Sequence, residues 1–411
     1  MPTSSSSSSA VSSSTATAVA TGAEIFVRSL EAEGVDLVFG HPGGAVIKIY
    51  DAMERLQPSF QHVLVRHEQG GTHAAEGYAK ATGRVGTVLV TSGPGATNTV
   101  TGIADAYMDS IPLVVFTGQV PTHMIGNDSF QETDTIGVTR SITKHNFLVR
   151  DVNDLARTIK EAYHIAQTGR PGPVVVDIPK DVQMQEAPFN YPSSVSIPGY
   201  SFPDKGDPTK VERAARMIAE AEKPLLYVGG GTIKANGTDR LTELARKTNI
   251  PATTTLHGLG SIPETDPLAI GMLGMHGFYH VNQAVQNCDL LIAVGARFDD
   301  RVTGKLEAWA PHAKVIHIDI DPACISKNLY ADCAILGDVD TVLGQLLPLV
   351  EPKDTSAWLE QIHDWEEECP LEYEDDGALH PQYVIERLHA KTRGEAVVVS
   401  DVGQHQMWVA Q

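Results

Sequence analysis

The chain has 411 residues, of which 42% are hydrophobic and 20% are charged. At roughly 100–200 residues per domain, this length predicts two or three domains with buried cores. The formal net charge of −20 argues against a nucleic-acid binder, because such a protein needs a basic surface to displace counterions from phosphates. Anionic ligands are not excluded, since backbone N–H groups at helix starts can hold phosphates. No apolar run approaches the ~20 residues that cross a bilayer, so we expect no membrane span.

The four cysteines are scattered along the chain, and no two have C-x-x-C spacing. This pattern indicates neither a zinc site nor a redox pair. Four separate thiols in a chain of this length are typical of a reducing compartment. The positions are Cys288, Cys324, Cys333 and Cys369.

Residues 1–21 are rich in Ser, Thr and Ala and carry no charged side chain. They have neither the arginines of a transit peptide nor the apolar core of a secretory signal. We therefore predict a disordered tail rather than a targeting signal. The missing transit signature favours a bacterial cytoplasm over a plastid or a mitochondrion.

Residues 22–187 alternate short apolar runs rich in β-branched residues with amphipathic segments. This alternation predicts an α/β domain, doubly wound, with helices on both faces of a parallel sheet. The predicted strands are 35–39, 86–91, 112–117 and 173–177, and the predicted helices are 70–82 and 97–107.

Residues 188–208 contain five prolines and little periodicity, which predicts a linker. A second α/β domain follows at 209–350. Its predicted strands are 224–228, 290–294 and 314–319.

Residues 351–379 are acidic and form a second predicted linker, with a helix at 358–367. A third strand–helix pattern occupies 380–411, with a helix to residue 391 and a strand at 396–401. One strand cannot form a stable parallel sheet, so we expect this third domain to be incomplete and the chain to be truncated.

Glu68 stands in a turn between a predicted strand and a predicted helix, within VRHEQGGTHAAEGYA at 65–79. A carboxylate there lies beside the positive end of a helix dipole, which suits a helix cap as well as a functional group. Small residues on one face of that helix would let another backbone or a flat ring come close. They are Gly70, Gly71, Ala74, Ala75, Gly77 and Ala79.

Two Gly-rich turns also follow predicted strands, HPGGA at 41–45 and TSGPGATN at 91–98. Each pattern is typical of a phosphate-binding or close-approach turn, and equally of a plain tight turn. The second turn lacks the Gly-Lys-Ser/Thr of a Walker A loop and the G-x-S-x-G of a nucleophile elbow. Ser92 is therefore not expected to be a nucleophile.

The middle domain carries Gly229-Gly230-Gly231 after a strand, which indicates a structural turn at least as strongly as a cofactor site. It also carries LGMHG, GARFDDR, HIDID and GD. GARFDDR and HIDID lie at or just after a predicted strand, where open α/β sheets bind ligands. The four motifs occupy residues 273–277, 295–301, 317–321 and 337–338.

Residues 117–134 (TGQVPTHMIGNDSFQETD) form a long polar segment after a strand, and such loops are usually functional or disordered. With residues 65–79 and SITKHN at 141–146, this segment resembles the large catalytic subunit of acetohydroxyacid synthase (acetolactate synthase), a thiamine-diphosphate and FAD enzyme. It is less similar to pyruvate decarboxylase and pyruvate oxidase. Glyoxylate carboligase carries an aliphatic residue at the position of Glu68. The resemblance covers about residues 22–411.

The resemblance implies that Glu68 hydrogen-bonds the aminopyrimidine ring of thiamine diphosphate, so that the imino group can take the proton from the thiazolium carbon. It implies that the Gly44 N–H faces a developing oxyanion and that Gln131 contacts substrate and cofactor. Gln404 and His405 would approach the same cofactor. The residues that it assigns to the substrate channel are Phe130, Pro121, Lys144 and Arg301.

The resemblance further implies a largely structural FAD in the middle domain. The implied FAD contacts are Arg170, Gly229, Gly230, Gly231, His276, Arg297, Asp319 and Asp338. Mg²⁺ would hold the diphosphate through oxygen ligands. The family's metal motif would lie beyond Gln411, so no metal ligand is predicted within the chain.

The activity implied is acetolactate synthesis, the first common step of branched-chain amino-acid biosynthesis. Pyruvate is decarboxylated, and the hydroxyethyl carbanion condenses with pyruvate or 2-ketobutyrate. A homodimer or higher homo-oligomer is expected, and a small regulatory subunit is a plausible partner. Two alternatives stay open: another FAD-containing thiamine-diphosphate carboligase or oxidase, and a non-catalytic FAD-binding fragment.

Overall fold

The computed structural model of the protein describes residues 19–374 and 376–411. The predicted tail lies outside the described residues as far as residue 18. Its assignment as disordered is wrong at its end, because Val19–Thr21 form a strand, β1, that pairs antiparallel with β8 (Glu186–Pro188). Thr21 then begins α1 (Gly22–Glu33) through a capping box with Glu24. A Ser/Thr-rich composition does not distinguish a capping residue from a tail.

The chain divides into two compact units, one ending at Tyr200 and the other beginning at Ser201. The division falls inside residues 188–208, the segment predicted as a linker. Residues 380–411 belong to the second unit and form no unit of their own. The described part of the chain therefore contains two α/β domains.

The first unit is built on a six-stranded sheet in which every neighbouring pair of strands is parallel. Its remaining elements are β2 (Leu37–His41), α2 (Ile47–Leu56), β3 (Gln61–Leu64), α3 (Glu68–Thr82), β4 (Gly86–Val90), α4 (Pro94–Thr97), α5 (Val100–Asp109), β5 (Leu113–Gln119), α6 (Thr135–Thr139), β6 (His145–Leu148), α7 (Val152–Gln167), β7 (Pro173–Pro179) and α8 (Lys180–Met184). Strands β4, β5 and β7 are buried at every residue, which explains the apolar runs at 88–90, 113–116 and 174–176 within them.

The strand order of this sheet is β3-β2-β4-β5-β7-β6. The chain moves from β2 to β3 on one side and then crosses to β4 on the other side, so the order reverses between β2 and β4. Open α/β sheets bind ligands outside the carboxyl ends of the strands at such a switch point. The two segments that leave β2 and β4 there are the Gly-rich turns at 41–45 and 91–98.

The second unit contains another six-stranded parallel sheet, in the order β11-β10-β9-β12-β13-β14. Its elements are α9 (Pro208–Glu220), β9 (Pro224–Val228), α10 (Gly231–Lys234), α11 (Thr238–Thr248), β10 (Ala252–Thr254), β11 (Ala269–Met272), α12 (Tyr279–Asn287), β12 (Leu290–Val294), α13 (Asp300–Thr303), β13 (Lys314–Asp319), β14 (Cys333–Leu336), α14 (Val339–Leu346), α15 (Ser356–Glu368), α16 (Pro381–Thr392) and α17 (Gln404–Ala410).

Counted along the chain, this order is 3-2-1-4-5-6, the arrangement of dinucleotide-binding sheets. The switch point lies between β9 and β12. The turns that leave these two strands begin with Gly229 and Gly295. The predicted ligand motifs of this unit therefore start at the expected edge of the sheet.

The predicted strands of the second unit are confirmed at their stated bounds in β9, β12 and β13. The predicted strand at 396–401 is wrong. Residues 396–401 pair with none of the described strands, and the side chains of Val397 and Val399 are 93% and 92% exposed. A β-branched run becomes a strand only where a neighbouring strand completes its hydrogen bonds.

Among the described residues, no helix combines the length and the apolar character that a membrane span requires.

Candidate functional site

Glu68 is the first residue of α3 and is buried, with 8% of its surface exposed. It does not cap its helix. The residue before it, His67, is the N-cap, and its ring accepts a hydrogen bond from Gln69 N at 3.2 Å. The Glu68 carboxylate instead accepts a hydrogen bond from Asn98 Nδ2 at 2.9 Å. A buried carboxylate that is not used as a cap fits a functional group better than the capping alternative.

The turn after β2 is held open around Gly44. Ala45 N donates to Thr91 Oγ1 at 3.1 Å, and Gln183 Nε2 donates to Ala45 O at 2.7 Å. A side chain on Gly43 would collide with Thr91 at 2.5 Å, whereas a Cβ on Gly44 would meet no atom within 4 Å. Gly43 is therefore required by packing, and Gly44 faces free space.

The turn after β4 brings the other segments to the same place. A Cβ on Gly95 would lie 2.7 Å from Thr91 and 3.5 Å from the Glu68 carboxylate. Gly93 has a φ of 57°, and a Cβ there would lie 2.6 Å from Gln131 O. The structure thus brings Glu68, the two Gly-rich turns and the backbone of Gln131 together at the carboxyl edge of the sheet.

The loop at 120–134 carries two more of the predicted channel residues. Pro121 precedes a short turn that Asp181 anchors, because Thr122 N donates to Asp181 Oδ1 at 2.9 Å. The Phe130 side chain is 88% exposed. Gln131 adopts a left-handed backbone with a φ of 57°, an unusual conformation for a residue other than Gly.

Lys144, a predicted channel residue, lies away from the turns around Gly44. It precedes β6, so it lies at the amino edge of the sheet, opposite the turns around Gly44. Its ammonium donates to the carbonyls of Ile165 and Thr168 and to Tyr200 Oη. The first two carbonyls lie at the end of α7, where a cation is stabilised by the helix dipole.

A buried carboxyl group lies beside the long loop. Asp177 of β7 accepts hydrogen bonds from Thr117 Oγ1 at 2.6 Å and from Gln119 Nε2 at 2.9 Å. Burial raises the pKa of Asp177 to about 7, although both hydrogen bonds oppose that shift.

At the switch point of the second unit, the glycines touch one another. A Cβ on Gly229 would lie 2.2 Å from Gly295 O, and a Cβ on Gly231 would lie 2.8 Å from Gly295 Cα. Gly231 N also donates to Gly295 O at 3.0 Å. Close contact between two backbones explains Gly229 and Gly231, and a Cβ on Gly230 would meet His257 O at 2.9 Å.

Several polar groups surround this edge of the second sheet. Asp319 ends β13 and accepts a hydrogen bond from Asp321 N at 2.8 Å. Asp338 caps α14 by accepting from Thr341 N at 3.1 Å. Thr254, at the end of β10, is 2% exposed, and its hydroxyl has no hydrogen-bond partner among the described residues.

The remaining predicted residues lie as follows. Arg170 precedes β7, and its Nε donates to Ser110 Oγ at 2.8 Å. Arg301 lies in α13 with its side chain 68% exposed, and Arg297 lies 3.9 Å from Asp299. The His276 carbonyl accepts a hydrogen bond from Gln411. The exposed residues Gln404 and His405 begin α17.

Three side chains of the first unit lie close enough to share a metal ion. Ligand atoms of His73, Glu76 and Asp105 lie within 4.8 Å of one another. The Lys80 ammonium lies 2.8 Å from Glu76 and 2.9 Å from Asp109, so a cation already neutralises the cluster. We interpret it as an ion-pair network.

Comparison with known proteins agrees with the two sheets. The N-terminal TPP binding domain of thiamine pyrophosphate (thiamine diphosphate) enzymes matches residues 20–138, and the central domain of the same enzymes matches 211–346. The chain is 52% identical over 399 residues to acetolactate synthase of Mycobacterium bovis, across 95% of this chain and 64% of the relative. It is 49% identical to the large subunit of acetolactate synthase isozyme 3 of Escherichia coli and 47% identical to the acetolactate synthase large subunit of Haemophilus influenzae, across 95% of this chain and 70% of each relative. The chain belongs to the acetolactate synthase large-subunit family.

The chain spans about two thirds of the length of the acetolactate synthases that it matches, from 64% to 70% for the three relatives named above. The matched N-terminal domain includes Glu68, both Gly-rich turns of the first unit and Gln131. The matched central domain includes the predicted FAD residues other than Arg170.

Sequence reasoning missed several residues that shape this candidate site. Asn98 binds the Glu68 carboxylate, Thr91 holds the Gly44 turn, Gln119 binds the loop at 120–134, and Asp177 binds Gln119. Asn98 and Thr91 lie within the TSGPGATN segment, but the sequence of that segment does not indicate which partner each residue binds. The apolar neighbours of Asp177 in PVVVD gave a signal, because a carboxyl group in a buried strand needs partners.

Proposed function

We propose that this protein catalyses acetolactate synthesis as a thiamine-diphosphate-dependent transferase. Two pyruvate molecules and a proton yield acetolactate and CO₂, and 2-ketobutyrate can replace the second pyruvate. The observation that carries the proposal is the buried Glu68 carboxylate, bound to Asn98 and next to the open turn at Gly44. Family membership with acetolactate synthases supports it.

The residues of the first unit fit thiamine diphosphate. The Glu68 carboxylate is an anionic acceptor, buried where open α/β sheets bind ligands, and one of its oxygens is oriented by Asn98. When bound, thiamine diphosphate supplies a nucleophilic carbon and an electron sink. Glu68 would hold a proton at the ring nitrogen of the cofactor, and the Gly44 N–H would donate to a developing oxyanion.

The loop residues would act on the substrate. Gln131 would contact both substrate and cofactor. Its backbone lies against Gly93, and Gly95 of the same turn lies near the Glu68 carboxylate. Pro121 and Phe130, on the same loop, would line the channel. No Mg²⁺ ligand is proposed among the described residues.

The second unit fits a dinucleotide such as FAD. Its strand order is the dinucleotide-binding order, and the unpartnered Thr254 hydroxyl lies at the carboxyl edge. Asp319, Arg297, His276 and Asp338 would supply polar contacts. The backbone of the turn at 229–231 completes the proposed set. The glycines of that turn are accounted for by packing, and the N–H groups of Gly229 and Gly231 already donate to Val294 O at 2.9 Å and to Gly295 O at 3.0 Å.

The assembly and location are proposals of the same kind. We propose a homodimer or a higher homo-oligomer in a bacterial cytoplasm, with a small regulatory subunit as a further partner. The large-subunit names of the relatives support a second, smaller component.

The test is acetolactate formation from pyruvate with thiamine diphosphate, Mg²⁺ and FAD. It should be run on this chain and on a chain extended to the length of its relatives. In an active protein, Glu68→Gln keeps an acceptor for Asn98 but removes the anion, and activity should fall about 10²–10⁴-fold. Glu76→Gln, a buried carboxyl two turns further along α3, is the matched control and should keep most of the activity. Activity in neither chain, or equal loss in both variants, would overturn the proposal.

A further inference from the structure

Gln119 is the last residue of β5 and is 3% exposed, and its side-chain amide holds both ends of the loop at 120–134. Its Oε1 accepts a hydrogen bond from Val120 N at 2.8 Å, at the start of the loop. Its Nε2 donates to Thr133 O at 2.9 Å, at the end of the loop. One buried amide therefore fixes the distance between the two loop ends.

Asp177 sets the orientation of that amide. The carboxylate is 1% exposed and accepts a hydrogen bond from Gln119 Nε2 at 2.9 Å. If the amide were rotated by half a turn, its oxygen would face the oxygens of Asp177 and Thr133, and Val120 N would face an N–H group. Such contacts between like groups leave buried atoms unpaired, so the carboxylate selects a single orientation.

The loop is also organised internally. The Glu132 carboxylate accepts hydrogen bonds from Gly126 N and Ser129 N, and these bonds lower the pKa of Glu132. These bonds give the loop a defined internal shape. Its position depends on where its ends are attached to the sheet, and Gln131 lies only two residues before the Thr133 carbonyl.

We propose that Gln119, oriented by Asp177, is a positioning residue. It sets Gln131 against Gly93 in the Gly-rich turn at 91–98 and thereby presents the loop to the keto-acid substrate. The inference rests on the proposed function, because the roles of Gln131 and Phe130 depend on it. The attachment itself is independent of any ligand and can be measured without catalysis.

The test is hydrogen exchange of this chain in four variants. Gln119→Met removes the three hydrogen bonds but keeps the shape, and amides at 122–134 should exchange at least about tenfold faster. Asp177→Val should do the same. Asp177→Asn should restore near wild-type exchange, because its oxygen can accept from Gln119 while its amide donates to Thr117. Thr117→Val is the matched control, since it removes a hydrogen bond to the same carboxylate without touching the loop.

In an active, extended protein, Gln119→Met should raise the KM for pyruvate about tenfold, with a smaller change in kcat. Unchanged loop exchange in Gln119→Met would overturn the inference, and so would equal effects of Gln119→Met and Thr117→Val. If wild-type protein makes no acetolactate while the exchange pattern holds, the proposed function fails and the loop attachment stands. If Asp177→Val does not fold, the comparison of Gln119→Met with Asp177→Asn still decides.

Discussion

The two sheets place Gly-rich turns at matching switch points, yet the glycines serve different purposes. In the first unit, a Cβ on Gly44 would meet nothing within 4 Å, and a buried carboxylate at Glu68 lies nearby. In the second unit, Gly229 and Gly231 are pressed against the backbone of Gly295. The same sequence signal therefore marks open space at Gly44 and contact between two backbones at Gly229 and Gly231.

This difference gives a way to separate function from packing. A glycine that faces open space can be replaced without loss of stability, so an effect of its replacement reports on a ligand. A glycine that touches another backbone destabilises the unit when it is replaced, whatever binds there. The predictions below test that distinction, from the largest expected effect on stability to the smallest.

Gly295→Ala should destabilise the second unit by about 4 kcal/mol. Its Cβ would lie 2.7 Å from Thr232 N, and its φ of 58° adds the strain of a left-handed backbone. All four tryptophans lie in the second unit, so denaturant unfolding followed by tryptophan fluorescence reports on that unit alone. Gly44→Ala is the control; because its unit contains no tryptophan, it is followed by hydrogen exchange of the first-unit amides, which should exchange as in wild type. Equal denaturation midpoints for Gly295→Ala and wild type would refute the packing explanation.

Asp177 should make the stability of the first unit depend on pH. Its folded pKa of about 7 is raised above the ordinary value of 3.8 by burial, so the folded state binds the proton more tightly than the unfolded state. Stability should therefore fall as pH rises from about 4 to about 7, by roughly 3 kcal/mol in total.

Hydrogen exchange of β5 and β7 amides at several pH values measures that loss, after correction for the intrinsic pH dependence of exchange. Asp177→Asn should remove the pH dependence that this residue contributes. The second unit, followed by fluorescence, serves as the internal reference. If Asp177→Asn shows the same fall of first-unit stability with pH as wild type, the group that titrates is not Asp177.

Asp338→Ala should cost the second unit about 1 kcal/mol, because it removes the cap of α14. Asp338→Ser restores a capping oxygen and should recover most of that stability. If Asp338 also contacts FAD, the Ser variant should still retain less flavin by absorbance. Full flavin retention in Asp338→Ser would show that Asp338 caps α14 and does not contact FAD.

Thr21→Ala is the counterpart in the first unit and should also cost about 1 kcal/mol, because it breaks the capping box that begins α1. Loss of stability should appear in the amides of α1 and β1 by hydrogen exchange, with no change in tryptophan fluorescence. Exchange as fast in wild type as in the variant would show that Thr21 contributes nothing to the start of α1.

Much of the fold could be predicted from the sequence because its central strands are buried on both faces. Such strands are rich in apolar residues, and β9, β12 and β13 have the bounds that the sequence predicts. The strand at 396–401 failed because its apolar sequence was judged alone, whereas a strand exists only with a partner. The position of Lys144 at the amino edge of the sheet is likewise not readable from its neighbours in sequence, because it depends on the direction of β6 in the sheet.

The sequence by itself determined the two parallel α/β units, the Gly-rich turns after their strands and the presence of a long polar loop at 120–134, because these are local patterns. Only the tertiary structure decided the strand order, the partner of Glu68 and the attachment of the loop by Gln119. Asn98 stands 30 positions from Glu68, and Asp177 stands 58 positions from Gln119. Hydrogen bonds over such separations depend on the crossover from one strand to another, and a local pattern does not encode that crossover.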